Sequence, residues 1–171
     1  VQPGRMITYE ATAHDILMYP REDGYKQGPM VASATLGLGR DIAVPDHQML
    51  DMCEYGDVSG QFYINSLKWL ANGIIPDDEL LSSLRIATYS ECVSSYLIST
   101  GFQNVQAISS EAELASGLAS ADVFVAEWLG SSEPMENLEA LKEFCAGGGG
   151  IFISDYGVGY DWWWGKELKD A

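Results

Sequence analysis

The second half of the chain alternates between short apolar strands and helices, and this alternation constrains the fold more than any other feature. Strands are predicted at residues 85–89, 105–108, 122–128 and 151–154, with a helix between each strand and the next. Segments 123–125 and 151–153 are continuously apolar, which is typical of strands that are covered on both faces. Because helical crossovers join parallel strands, the pattern predicts an α/β fold, a three-layer sandwich with a mainly parallel sheet.

The first 73 residues have a different pattern, which is rich in strands and turns and ends in one helix. Strands are predicted at residues 15–19, 30–35 and 41–44. Residues 36–39 join the last two of these strands as a hairpin. Residues 61–72 predict a helix that ends at Asn72 and Gly73. We expect the hairpin to extend or edge the sheet and the helix to pack on one face of it.

The length and composition of the chain fit a single domain, residues 1–171, in which residues 1–73 precede a βα-repeat core at 84–171. Hydrophobic residues make up 47% of the chain, enough for a sizeable core. No apolar run approaches the roughly 20 residues that span a membrane, so we expect a soluble protein. No signal peptide is visible and the first residue is Val1, so we expect a piece of a longer parent protein. The compartment stays open between the cytoplasm and a secreted location.

The charge of the chain is strongly negative and unevenly distributed. The formal net charge is −16, and no Lys or Arg occurs between Ile86 and Leu141. Such a surface repels phosphate groups, so nucleic acids and anionic membranes are excluded as partners. The acidic residues are explained most simply as solubilising charge, while a basic partner or bound divalent cations stay open as alternatives.

The bend that follows the last predicted strand is the first place to look for a site, because open α/β sheets bind ligands beyond the carboxyl ends of their strands. From Asp155 to Gly159 the bend contains no Cys, Ser or Thr, so a nucleophile is absent where one would be expected. Its carboxylates and aromatic rings could hold a sugar or a cation, or they could cover an edge of the core. The candidate binding residues are Asp155, Tyr156, Tyr160, Trp162, Trp163 and Trp164, together with His47 from earlier in the chain.

One histidine and one cysteine complete the list of candidates. His47 follows a predicted strand and has acidic neighbours, so it could be a general base, a metal ligand or a structural hydrogen-bonding residue. Cys92 lies at a predicted helix N-terminus, where a cysteine can have a lowered pKa. Cys53 could pair with Cys92 in an oxidising compartment, whereas Cys145 closes an apolar stripe and is interpreted as a buried thiol. No cofactor and no metal site are predicted.

Several segments, taken in their order along the chain, resemble the glutamine-amidotransferase-like domain of the TRP-channel-associated factors, which is related to domains that accompany mucin-directed gluzincin peptidases. The resemblance covers roughly residues 28–171. The matching features are Gly37, Gly39 and Arg40 of a hairpin, His47, the helix positions 65–70, the glycines 148–150 and Trp162–Trp164. Asp46 replaces the glycine that usually precedes the histidine, and the peptidase motif H-E-x-x-H is absent. The resemblance implies a class I amidotransferase-like, flavodoxin-like fold, with any peptidase domain of a larger parent located elsewhere.

The resemblance and the missing nucleophile together predict a non-catalytic amidotransferase-like domain, a pseudoenzyme that binds a protein partner or another domain of its parent. Oligomers are also compatible with this prediction. A carbohydrate-binding or glycan-associated module that uses the aromatic segment is the first alternative. A hydrolase or transferase that uses Cys92 with His47 is the second.

Overall fold

The computed structural model describes residues 14–18, 29–44, 52–71, 75–76, 78–127 and 138–154. Seven strands form one sheet, in the order β1-β2-β3-β7-β6-β4-β5. They are β1 His14–Met18, β2 Pro29–Leu36, β3 Gly39–Val44, β4 Arg85–Thr88, β5 Asn104–Ala107, β6 Val123–Glu127 and β7 Gly150–Ser154. β1, β2 and β3 pair antiparallel, and the strands from β3 to β5 across the sheet pair in parallel. The predicted α/β sandwich with a mainly parallel sheet is therefore confirmed.

Helices cover both faces of this sheet and produce two separate cores. The helices are α1 Met52–Leu70, α2 Leu80–Ser83, α3 Glu91–Ser99, α4 Leu114–Ser120 and α5 Leu138–Ala146. Residues of α1, α2 and α3 share one buried cluster with Ile86, Val125 and Phe152. Residues of α4 and α5 share the other cluster with Phe124 and Ile151. Neighbouring positions of β6 and β7 thus feed opposite cores, which is why both strands are apolar throughout.

The predicted hairpin forms and extends the sheet. β2 and β3 pair antiparallel around Gly37 and Leu38, and β3 then pairs in parallel with β7. Gly37 has a φ of +61°, a left-handed conformation that glycine adopts without strain. Leu38 donates its backbone N–H to the Ala146 carbonyl, at 3.1 Å. The hairpin turn is therefore fastened to the end of α5 at the amino edge of the parallel strands.

One helix start differs from the sequence-based expectation. α1 begins at Met52, nine residues before the predicted start, and thus continues through Gly56 and Gly60. Before α4, Ser109 donates both its backbone N–H and its hydroxyl to the Glu113 carboxylate. These hydrogen bonds, led by the one from the Ser109 N–H, hold the pKa of Glu113 below its usual range. No helix among the described residues is long and apolar enough to cross a membrane.

Candidate functional site at the carboxyl edge of the sheet

The order of the strands marks one point on the sheet where a ligand crevice is expected. From β4 the chain passes through α3 to β5 on one side, and from β6 it passes through α5 to β7 on the other. α3 and α5 lie on opposite faces, since they belong to different buried clusters. The carboxyl ends of β4 and β6 therefore flank a topological switch point, where open α/β sheets bind their ligands.

The end of β4 is organised by a chain of short-range hydrogen bonds. Thr88 is fully buried, and its hydroxyl oxygen accepts the backbone N–H of Ser90 at 3.1 Å. The Ser90 hydroxyl in turn accepts the N–H of Val93 at 3.2 Å and so caps α3. Between them, Tyr89 packs its ring edge-on against Phe124, with the ring centroids 5.7 Å apart. This arrangement fixes the N-terminus of α3 at the carboxyl edge. The positive end of the helix dipole lies at this N-terminus.

The end of β7 contains an unusual buried hydroxyl group. Ser154 is 1% exposed, and its Oγ has no hydrogen-bond partner among the described residues. It lies opposite Val44 of β3 and Glu127 of β6, and alternation along β7 places it on the same face as Phe152. Burying an unpaired hydroxyl costs about 1–3 kcal/mol, so such a group calls for a functional explanation. Ser154 is therefore a buried polar group at this edge whose hydrogen-bond partner is not among the described residues.

The site residues that the sequence predicted lie next to this edge in the chain. Asp155, Tyr156, Tyr160 and Trp162–Trp164 lie in the segment 155–164 that follows Ser154, and His47 follows β3 by three residues. All of them lie outside the described residues, so their role stays a prediction. Sequence reasoning missed Thr88, Ser90 and Ser154. The one signal in the sequence was Ser90, which lies three residues before Val93 and so could be recognised as a helix cap.

Neither of the two cysteines whose side chains the structure describes provides a nucleophile. Cys92, in the first turn of α3, is disulfide-bonded. A disulfide sulfur is not a thiolate, which contradicts the alternative of a hydrolase or transferase that uses Cys92. Cys145 is a free, buried thiol, as its sequence pattern predicted. Burial, with a contribution from nearby Asp41, raises the pKa of Cys145 to about 11, so this thiol stays protonated at neutral pH.

A cavity lies at the opposite, amino edge of the sheet. This cavity of about 330 Å³ is formed by the segments that precede β6 and β7, among them Asp122 and Gly147–Gly149. The Asp122 carboxylate is already engaged, because it accepts the Arg85 backbone N–H and Nε–H, each at 3.0 Å. Within the described ranges, no three His, Cys, Asp or Glu residues are grouped so as to hold a metal ion. The carboxyl edge is therefore the better candidate site.

Comparison with known proteins supports the fold. The chain matches no protein-family model and no curated protein. Among solved structures, it is similar to IMPa from Pseudomonas aeruginosa in complex with an O-glycopeptide, at 15% identity and a TM-score of 0.58, over 85% of this chain and 16% of that one. It is also similar to the IMPa metallopeptidase in complex with T-antigen, at 15% identity and a TM-score of 0.56, over 76% of this chain and 15% of that one.

These neighbours correct one expectation. The prediction that the chain is not an enzyme is contradicted, because the same fold occurs inside structures that are described as a metallopeptidase. The prediction relied on an empty bend after β7 and on the absence of H-E-x-x-H. Both observations concern this chain alone, and it spans only 15–16% of the length of its structural neighbours.

Proposed function

We propose that this chain is a glycan-associated domain of a larger, secreted peptidase-type enzyme, and that the carboxyl edge of its sheet contacts the sugar of a glycosylated peptide. The observation that carries the proposal is the similarity, over 85% of the chain, to a protein whose structure holds an O-glycopeptide. At 15% identity this similarity concerns the fold, so the ligand has to be argued from the site.

One described group at this edge, the Ser154 hydroxyl, supports a neutral sugar as the ligand. Sugars present hydroxyl groups that both donate and accept hydrogen bonds, and Ser154 Oγ can do the same. The aromatic segment 156–164 follows it immediately in the chain, and aromatic rings suit the apolar faces of sugars. With a net charge of −16, the chain repels acidic sugars, which favours unsialylated and unsulfated glycans.

The disulfide at Cys92 supports the secreted location. Disulfide bonds persist in extracellular, secretory and periplasmic compartments and are rare in the cytosol. A glycosylated peptide would be met in the same compartments, so the location and the proposed ligand agree.

Binding of the purified chain to a glycan array carrying neutral, sialylated and sulfated O-glycans tests the proposal. We expect binding to neutral glycans, and about 3- to 10-fold weaker binding by Ser154→Ala, the loss that one hydrogen bond accounts for. Ser33→Ala, at a buried serine of β2, is the matched control and should bind like the parent chain. Absence of binding to any glycan, or equal binding by the Ser154 variant, would contradict the proposal.

A protein-binding domain is the second candidate, and one surface favours it. Leu36 and Leu38 at the hairpin turn are 46% and 72% exposed, at the amino edge opposite Ser154. In the IMPa structures the matched segment makes up 15–16% of the chain, so an apolar tip of this kind could pack against another domain of the parent. Leu38→Asp should then disrupt association with the parent's other domains and leave glycan binding unchanged. The resemblance to the channel-associated amidotransferase-like domains agrees with either candidate.

A further inference from the structure

We propose that Cys53 and Cys92 form a disulfide that joins the first turns of α1 and α3 above the carboxyl edge, and that this bond holds the rim of the candidate site in place. The proposal goes beyond glycan binding, and its first tests do not depend on any ligand.

The pairing follows from the state of the other two cysteines. The chain contains three cysteines. Cys92 is disulfide-bonded and Cys145 is a free, buried thiol. Cys53 is therefore the remaining partner within one chain.

The directions of the two helices agree with this pairing. The C-terminus of α1 lies at the amino edge, because Arg40, at the start of β3, donates a hydrogen bond to the Trp69 carbonyl. Nearer to the N-terminus of α1, Tyr63 packs against Phe152 of β7, with the ring centroids 5.0 Å apart. The first turns of α1 are therefore near the carboxyl edge. α3 begins there as well, since Ser90 directly follows the end of β4.

The helical register places positions 53 and 92 on the sides of α1 and α3 that face each other. α1 and α3 touch where Gly60 meets Tyr96, so closely that a Cβ at position 60 would overlap the tyrosine hydroxyl. Cys53 precedes Gly60 by two helical turns, and Cys92 precedes Tyr96 by one. Residues one or two turns apart share a helix face, so positions 53 and 92 belong to the faces on which α1 and α3 meet, towards the carboxyl edge.

The bond would stabilise the geometry of the site. Ser90 caps α3 one residue before Glu91 and is held by Thr88 at the switch point. A covalent link at Cys92 prevents this first turn from moving away from α1. In the oxidation two thiols lose two protons and two electrons to a thiol–disulfide oxidant of the secretory compartment. Dithiothreitol reverses it by returning both electrons and forms its own cyclic disulfide.

The first experiment counts thiols and maps the link in the full chain. Under denaturing, non-reducing conditions we expect one thiol that reacts with Ellman's reagent, and three after reduction. A non-reduced proteolytic digest should contain a peptide with Cys53 joined to one with Cys92. Three reactive thiols before reduction, or a link that involves Cys145, would overturn the proposal.

The second experiment asks what the bond does. Reduction should lower the Tm by on the order of 10 °C, because the bond closes a loop of about 40 residues. Cys53→Ser and Cys92→Ser should each start at the lower Tm and respond no further to dithiothreitol, whereas Cys145→Ala should keep the full response. An unchanged Tm on reduction of the parent chain would refute the stabilising role. If the bond and its effect are found but no glycan binds, the proposed function fails while this inference stands.

Discussion

The Arg40 guanidinium lies over the Trp69 ring, 5.0 Å from its centroid, and Nη1 donates a hydrogen bond to the Trp69 carbonyl at 2.8 Å. One side chain at the start of β3 thereby binds the last turn of α1, where carbonyl groups lack partners within the helix. The positive charge also interacts favourably with the negative end of the helix dipole. Arg40 therefore fastens the hairpin to the helix that covers it, which gives a structural reason for the Gly-x-Gly-Arg sequence at 37–40.

Arg40→Ala should reduce the free energy of unfolding by about 2–3 kcal/mol, because it removes a charged hydrogen bond and a cation–π contact at a half-buried position. Arg85→Ala is the control. Arg85 pairs with Asp122, but its side chain is 54% exposed, and exposed ion pairs contribute about 0–1 kcal/mol. Urea unfolding curves of the two variants should therefore differ clearly. Equal losses would show that the contact between Arg40 and Trp69 is not specifically stabilising.

Gly39→Ala should destabilise the chain by several kcal/mol for a purely steric reason. A Cβ at Gly39 would overlap the carbonyl oxygens of Cys145 and Gly149, which belong to backbone and cannot rotate away.

Gly101→Ala separates this effect from backbone strain. Gly101 has a φ of +104°, yet a Cβ there would be 3.6 Å from Leu81 Cδ1, an ordinary contact. We expect about 1–2 kcal/mol from strain in this control, and a larger loss at Gly39. A smaller loss at Gly39 would mean that the α5–hairpin contact can open.

Much of the fold was predictable because its signals are local. The continuous apolar runs at 123–125 and 151–153 predicted parallel strands covered on both faces, and β6 and β7 are such strands. The early start of α1 was not predictable, because Gly56 and Gly60 disfavour a helix and the packing of Gly60 against Tyr96 outweighs that preference. Tertiary contact decided the structure there, as it did for Arg40 and Trp69, which are 29 residues apart.

The candidate site was less predictable than the fold. The last core strand was correctly predicted to end at Ser154, but the predicted site consisted of side chains beyond the strand and left out its last residue. Ser154 is an ordinary serine in the sequence, and only the packed structure reveals that its hydroxyl is buried without a partner. The disulfide at Cys92 also depends on which helices meet, and residue spacing does not contain that information.

Asp41→Asn should stabilise the chain at neutral pH. Burial raises the pKa of Asp41, although a backbone hydrogen bond partly opposes the shift. The folded state therefore holds this proton more tightly than the unfolded state, so stability falls as pH rises from the usual range of an aspartate through the raised pKa. Above this window the penalty is constant. The variant lacks the penalty, so its advantage should be present at pH 7 and vanish in acid below the usual pKa.

Denaturant unfolding at a series of pH values from 3 to 8 measures this difference. Asp78→Asn, at an exposed carboxylate, is the control and should show little difference from the parent chain. A difference between Asp41→Asn and the parent that grows on acidification would have the wrong sign and would contradict the assigned cause.

Ser154→Ala should leave the stability of the free chain unchanged or raise it by up to about 1–2 kcal/mol, because the variant removes a buried hydroxyl that has no partner among the described residues. Thr88→Val is the contrasting variant. The Thr88 hydroxyl accepts the Ser90 N–H, so its removal breaks a hydrogen bond at a partly buried position and should cost about 0.5–1.5 kcal/mol. Thermal unfolding and glycan binding measured on the same two variants separate structure from function. A Ser154 variant that is more stable yet binds less tightly is the result expected of a residue kept for its ligand. If Ser154→Ala is instead as destabilised as Thr88→Val, the hydroxyl has a structural partner and the case for a ligand at the end of β7 fails.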